Sequence, residues 1–510
     1  MANDNDDACL RAVRAHSCDE VRKLCTLGVA GTQLVPLYDV VCSLDNVAQP
    51  VTLIAAAAYI LMLLSVLGTT AGSFFVPQLD RASAALRLSP TVAGLTLLAL
   101  GNAAPDVFAD VAGAEDSDLA LDIGELLGAA VFITTVVLAA VVLVSTTRTR
   151  NYVSVGHIPT FARDVAVCAT AMTLVMVNAA LGSFHLITAL CLVGSYGVYV
   201  LVVVLCSKGR DADKEDDVEN DLGEPLLGDS VNDEPPPPLT GLTWTEDSGV
   251  LERIQVIVEW PMTLTRWLSV PNPDGAGGAA RRRLMGVAPL GACAVVFLAF
   301  TSIICPNCAS PYDVFQMQVP LRIAGWQPPA FALGAAAAIL LGVLALACPR
   351  LAAVPVGIVS FVSVVAWMSL AGNELVAALE VGGRLTGLSS TLMGATFLAW
   401  GNSVGDMVAN VSVARAGYPA MAFGSALGAP LLTACIGLGL AAVVSTAAPP
   451  HWVRVHVSRG AWVATCFLAA SLTLTGGYAI FTGFLTRKLA YLLIVIYVAF
   501  TAALLTVEFV

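Results

Sequence analysis

Residues 91–111 (TVAGLTLLALGNAAPDVFADV) and 391–411 (TLMGATFLAWGNSVGDMVANV) are two copies of one segment. At a constant offset of 300, ten of 21 positions are identical: Thr91, Gly94, Thr96, Leu98, Ala99, Gly101, Asn102, Asp106, Ala109 and Val111. The register continues downstream, where Gly124, Leu127, Gly128 and Ala129 match Gly424, Leu427, Gly428 and Ala429. It also continues upstream, where Ala71, Gly72, Val76 and Leu79 match Ala371, Gly372, Val376 and Leu379. Apolar helices resemble one another through composition, but Asn, Asp and Gly matched at fixed spacing do not arise that way. A duplication constrains the fold strongly, because both copies must find the same structure.

The environment of the repeat is lipid. Only 12% of the 510 residues are charged and 57% are hydrophobic, against about 25% charged in an ordinary soluble domain. A chain so poor in charge cannot coat a globule in water. Twelve stretches are long and apolar enough to read as spans: 51–75, 88–112, 123–146, 163–180, 184–206, 286–305, 329–348, 351–375, 387–413, 420–446, 459–480 and 487–508. Residues 1–50 contain no apolar core of a cleaved signal, so the first span itself directs insertion.

Charge is confined to two segments. Residues 1–50 carry 4 basic and 7 acidic side chains, and residues 207–285 carry 8 and 16; the rest carry 13 and 14. No basic stripe exists, which argues against nucleic acid as a partner. Lys and Arg favour the cytoplasmic side. A cytoplasmic 207–285 linker also places Arg81, Arg87, Arg148, Arg150, Arg350, Arg415, Arg487 and Lys488 there, with Arg454 and Arg459 dissenting. Both termini then lie outside the cytosol. Seven of the 13 cysteines fall in spans, and Cys9, Cys18, Cys25, Cys42, Cys305 and Cys308 fall at or near the non-cytoplasmic face. Disulfides on an oxidising side fit that placement, and a metal or redox site at Cys305–Cys308 is the alternative. Residues 207–245 read as a disordered tether, and residues 248–269 as an amphipathic helix lying along the membrane surface.

The first copy is span two and the second is span nine. A shift of seven crossings is odd, so the copies run in opposite directions, the plan of many secondary transporters. Such folds bind their substrate at the midplane between interrupted helices, and Gly101, Pro105, Gly401 and Gly405 are the expected interruptions. The in-span acids near the repeat are Asp106, Asp110, Glu125 and Asp406, with no Lys or Arg at comparable depth. An ionisable residue inside a span costs roughly 2.5–3.5 kcal/mol on insertion scales, so each marks a functional candidate. Uncompensated carboxylates call for a cation or a proton, and oxygen ligands suit calcium, sodium and potassium. Asn102 and Asp106 are four apart, as are Asn402 and Asp406, so each pair shares a helix face. Glu125 and Ser425 occupy equivalent places on the following helices. Asp110 has Asn410 as its counterpart and reads either as an extra ion contact or as a vestibule residue. Glu374 reads as an interfacial residue at the end of a span.

At these residues the chain resembles a known group. GNAAPDVFAD at 101–110 is similar to the GNGAPD signature of the first repeat of cation/calcium exchangers, and GNSVGDMVAN at 401–410 to the GNSxGD signature of the second. AGNELV at 371–376 fits the approach to the second repeat. The pairing resembles the plant cation/calcium exchanger branch, similar to mitochondrial sodium/lithium/calcium exchangers, within the sodium/calcium exchanger superfamily. The resemblance implies an all-α polytopic membrane protein of about twelve transmembrane helices: two inverted five-helix repeats, 51–206 and 350–510, plus two added spans within 286–349. It further implies Asn102, Asp106, Asn402, Ser403 and Asp406 as cation ligands, with Glu125 and Ser425 where adjacent helices contribute. Ala103, Ala129 and Ala429 depart from the pattern by removing a glycine and two oxygen ligands, and Asp110 and Glu125 depart by adding acid.

The expected function is cation antiport by alternating access, exchanging calcium, potassium or sodium for sodium or protons. A passive cation channel is the nearer rival. An intramembrane aspartyl protease is a remote one, since Ser403 stands where its GxGD-type motif needs a glycine. No GxxxxGK[ST] occurs, so neither a nucleotide nor another cofactor is expected. The expected partners are inorganic cations and membrane lipid, the oligomeric state is left open with a monomer as one plausible form, and the location is an endomembrane or the plasma membrane.

Overall fold

The computed structural model describes residues 49–86, 88–113, 119–146, 152–155, 158–211, 250–271, 279–299, 330–385, 399–447, 451–455 and 457–509. Cys9, Cys18, Cys25, Cys42, Cys305, Cys308, the stretch 391–398 and the tether 212–249 lie outside these residues.

The chain is helical almost throughout. In the first half, α1 (Gln49–Thr70) runs through a π turn (Ala71–Phe75) into α2 (Val76–Leu86). A short α3 (Pro90–Ala93) and a second π turn (Gly94–Leu98) lead into α4 (Ala99–Gly113). Then come α5 (Leu119–Phe132), a π turn (Ile133–Val137), α6 (Leu138–Ser145), β1 (Tyr152–Ser154), α7 (Ile158–Ala180), β2 (Ser183–His185) and α8 (Leu186–Asp211). Three intervening helices are α9 (Val250–Ser269), α10 (Ala279–Ala299) and α11 (Ala330–Ala347). The second half has α12 (Pro349–Leu385), α13 (Ala399–Arg415), α14 (Pro419–Leu432), a π turn (Thr433–Gly437), α15 (Leu438–Thr446), β3 (Trp452–Arg454), α16 (Arg459–Thr482), β4 (Phe484–Thr486) and α17 (Arg487–Phe509). The π turns at 133–137 and 433–437 repeat at the same offset of 300. Among the described residues eight helical segments are long and apolar enough to cross a membrane, and three shorter apolar helices accompany them. The protein is an integral multi-pass membrane protein.

The strands establish the inversion. By offset, β1 is the equivalent of β3, and β2 of β4. Yet β1 pairs with β4 (Val153 opposite Leu485), and β2 pairs with β3 (Phe184 opposite Val453), both antiparallel. Helix α7 separates β1 from β2 by 23 residues, or about 34 Å at 1.5 Å per residue. Repeats running in the same direction would set β1 level with β3. Pairing of β1 with β4 requires the second repeat to be turned over. Arg487, just after β4, reinforces one junction by donating from Nε to Thr146 Oγ1 and from Nη2 to the Thr146 carbonyl, both at 2.7 Å. That carbonyl follows the end of α6, where a cation is favoured.

Residues 250–269 do form a helix, but its polar face is turned into the protein. Glu259 accepts from Ser65 Oγ and, at 2.7 Å, from Thr69 Oγ1. Fully buried Arg266 donates to Thr69 and Thr70 Oγ1 at 2.7 Å, to Thr263 Oγ1 at 2.8 Å and to Glu259 at 3.5 Å. Ser269 then accepts from Trp367 Nε1 at 2.7 Å through its hydroxyl, and from Ser363 Oγ at 2.6 Å through its carbonyl. Helix α9 therefore joins α1 to α12, the equivalent first helices of the two repeats, while Ile257, Val258, Trp260 and Leu268 face outward. The interruptions expected at Gly101, Pro105, Gly401 and Gly405 are also displaced. Helices α4 and α13 run on through these residues. In the first repeat the irregular turn sits earlier, at 94–98, where the wider π winding supplies the break in the hydrogen-bond ladder.

Candidate cation-binding site

The site begins with a close helix crossing. A Cβ at Gly94 would lie 2.1 Å from the Met421 carbonyl oxygen, so only glycine lets the signature segment of the first repeat meet α14 of the second there. Leu95, Leu98, Phe423 and Leu427 are buried in one continuous core at this crossing. One turn further on, Asn102 Nδ2 donates to the buried Ser425 Oγ at 3.2 Å. The amide oxygen of Asn102 is left for another partner. Two of the residues expected from the sequence, one in each repeat, are thus in direct contact.

The carboxylates converge from both repeats. Asp106 of α4 feels the charges of Asp406 (α13), Glu125 (α5) and Asp110 (α4). Asp406 is buried and Glu125 is exposed. Their mutual repulsion is relieved only by a cation or by protons. Ser403 Oγ, Asp406 Oδ1 and Asn410 Oδ1 are buried oxygens with no hydrogen-bond partner. Such orphans are rare in native proteins because each forfeits its hydration, and an ion is one of the few things that explains them. Spacings of three and four residues along α13 align the three on one face. The donor set is carboxylate, hydroxyl and amide oxygen throughout, which matches hard cations. Among the described residues no three His, Cys, Asp or Glu side chains close into a metal cage. Asn402 lies in α13, but its side chain is outside the described set.

The alanine departures fall on the neighbouring stripe. Ala103 and Ala429 pack in one apolar cluster with Ala99, Val107 and Leu432. Ala103, which replaces a glycine, and Ala429, one of the two positions stripped of oxygen, therefore lie in a dry seam between α4 and α14 beside Asn102, Asp106 and Asp110.

Three further buried polar residues stand where the sequence carries no clear signal for them. Glu374 is not interfacial: α12 continues to Leu385, and Glu374 is buried and hydrogen-bonded to Tyr59 of α1. Asn410 has no ligand motif, and only its equivalence to Asp110 could have marked it. Asp164 of α7 is buried, and accepts from Tyr199 Oη at 2.9 Å and Arg163 Nε at 2.8 Å. It lines a small cavity with Thr91, Thr160 and Gly424. At the edge of its span it carries no sequence signature.

Comparison with known proteins agrees with the two-repeat arrangement. The family model described as "Sodium/calcium exchanger protein" matches residues 56–205 and 356–506, one stretch in each repeat. The mitochondrial sodium/calcium exchanger protein of Rattus norvegicus is 27% identical over 540 residues, covering 96% of this chain and 88% of its own length. Cation/calcium exchanger 5 of Arabidopsis thaliana is 29% identical over 432 residues, covering 81% of this chain and 74% of its own. A solved structure of the sodium-calcium exchanger NCX_Mj aligns with 88% of this chain and 99% of its own at 12% identity, with a TM-score of 0.47. With the family model matched in both halves of a duplicated, inverted helical membrane protein, the chain belongs to the sodium/calcium exchanger protein family.

Proposed function

We propose that this protein is a secondary-active cation antiporter that moves calcium, potassium or sodium in exchange for sodium or protons by alternating access. The observation that supports this reading is that Asp106 and Asp406, 300 residues apart in sequence, lie within electrostatic reach of each other, with unsatisfied buried oxygens on the same helix as the latter. Deprotonated, the two carboxylates bind either a divalent cation or the ions that replace it, with Asn102, Ser403, Ser425 and Glu125 as further oxygen donors and Asn402 as a candidate. Because the repeats are inverted, the same contacts remade in mirrored order open the site to the opposite side of the membrane. An ion gradient drives the cycle. The names of the relatives, a sodium/calcium and a cation/calcium exchanger, accord with this cargo.

The test uses purified protein in liposomes. Calcium-45 and rubidium-86 uptake is followed against imposed sodium, potassium and pH gradients, beside Asp106→Asn and Asp406→Asn. Gradient-driven uptake abolished in both variants supports antiport, and the effective gradient names the counter-ion. Uptake indifferent to the counter-gradient replaces this reading with a channel.

A further inference from the structure

The two repeats differ one helical turn beyond their central aspartates. In the first, Asp110 lies against the π turn that ends at Gly437. A Cβ at position 437 would fall 2.3 Å from Asp110 Oδ2, so the carboxylate fills the space any other residue would use. From there Asp110 still acts on the charge of Asp106. In the second repeat, position 410 carries Asn, and fully buried Val137 stands where Gly437 stands. Asn410 Nδ2 donates to the Asp406 carbonyl at 2.8 Å. Its buried Oδ1 offers an oxygen with no charge.

Inversion sends these two positions to opposite sides. Beyond Asp106, α4 runs toward the face of the β2–β3 pair; beyond Asp406, α13 runs toward the face of the β1–β4 pair. Charge and amide thus stand on opposite sides of one site. We propose that Asp110, seated on Gly437, is a cation-attracting residue of the β2–β3 face only, and that the neutral Asn410 leaves the β1–β4 face with the lower apparent cation affinity. The Asp-with-Gly and Asn-with-Val pairings are the means. Glycine admits a carboxylate at one position, and the equivalent position carries a buried valine.

This inference rests on the antiport reading, and its test separates the two. Half-saturating calcium is measured from each face in vesicles of a single orientation, sorted by a C-terminal affinity tag. Asp110→Asn raises it on the β2–β3 face on the order of tenfold, the scale of one charge acting across a few ångströms of partly wet protein, and leaves the other face unchanged. Gly437→Ala displaces the carboxylate and shifts the same face in the same direction. Asn410→Asp lowers the half-saturating concentration on the opposite face. A thermal-unfolding midpoint in detergent close to that of the wild type verifies that each variant is folded. Equal shifts on both faces, no shift on either, or complete loss of flux in Asp110→Asn would each overturn the proposal. Undiminished exchange in Asp106→Asn would instead overturn the antiport site itself, whatever Asp110 does.

Discussion

Asn102 of the first repeat donates its amide hydrogen to Ser425 of the second at 3.2 Å, and by doing so orients its own oxygen away from that contact. The bond joins two expected ligand positions 323 residues apart. Ser425→Ala leaves the Asn102 amide without its buried partner, at a cost of about 1–3 kcal/mol. Because Asn102 then turns or takes up water, half-saturating calcium is expected to rise about tenfold or more, with maximal flux largely kept. Uptake kinetics of the reconstituted variant check this. An unchanged calcium dependence would remove Ser425 from the site.

Asp106→Asn and Asp406→Asn are expected to abolish exchange without unfolding the protein. Each removes a charge from a crowded group of carboxylates, so the cation-free variants should melt at or above the wild-type temperature. The wild type should gain several degrees on addition of saturating calcium, through binding to the folded state, and the variants should not. Thermal unfolding in detergent, with and without calcium, reads both effects. A variant that still gains stability from calcium would place the ion elsewhere.

The Glu259–Arg266 pair makes a different prediction. Arg266→Leu strands a buried carboxylate that now bonds Ser65 and Thr69, and is expected to destabilise the protein by about 3–5 kcal/mol. Replacing both members, Glu259→Leu with Arg266→Leu, should cost much less than the sum of the single changes, because no unpaired charge remains. Unfolding midpoints of the two single variants and the double variant test the pair. Additive losses would mean that the two side chains do not act together.

Inversion is directly checkable by cross-linking. Cysteines at Tyr152 and Thr486 lie opposite each other in the β1–β4 pair, within the range a disulfide spans. Cysteines at Tyr152 and Trp452 lie at opposite ends of a helix about 34 Å long. In a background lacking the native cysteines, the first pair should form a bond joining the fragments after proteolysis between residues 212 and 249. The second pair should not. The reverse result would give the repeats a common direction.

Part of this architecture is legible in one dimension. Duplicated Asn, Asp and Gly at an offset of 300 reveal two equivalent helices, and the odd shift in span number already implies that they oppose each other. The four acids in apolar segments lacking Lys or Arg identify Asp106, Asp406, Glu125 and Asp110, all of which the fold gathers about Asp106. Glu374, Asp164 and α9 were not legible in the same way. Whether a carboxylate in an apolar helix is buried depends on which neighbour covers it. Tyr59 covers Glu374 from the other repeat, and Tyr199 covers Asp164 from the next helix in the chain.

The sequence by itself determined the membrane class, the twofold plan and the oxygen-rich chemistry of the site, because these depend on composition and on spacing along single helices. Only the tertiary structure decided how the repeats interlock: β1 with β4, β2 with β3, and Asn102 on Ser425. It also decided which face of α9 is inside. A helical period shows that a helix has two faces but not which one meets the surroundings. In water the apolar face turns inward. Here Glu259 and Arg266 turn inward and Ile257 and Trp260 turn out, since the hydroxyls of α1 satisfy the buried pair of charges with hydrogen bonds that the sequence of α9 alone does not reveal.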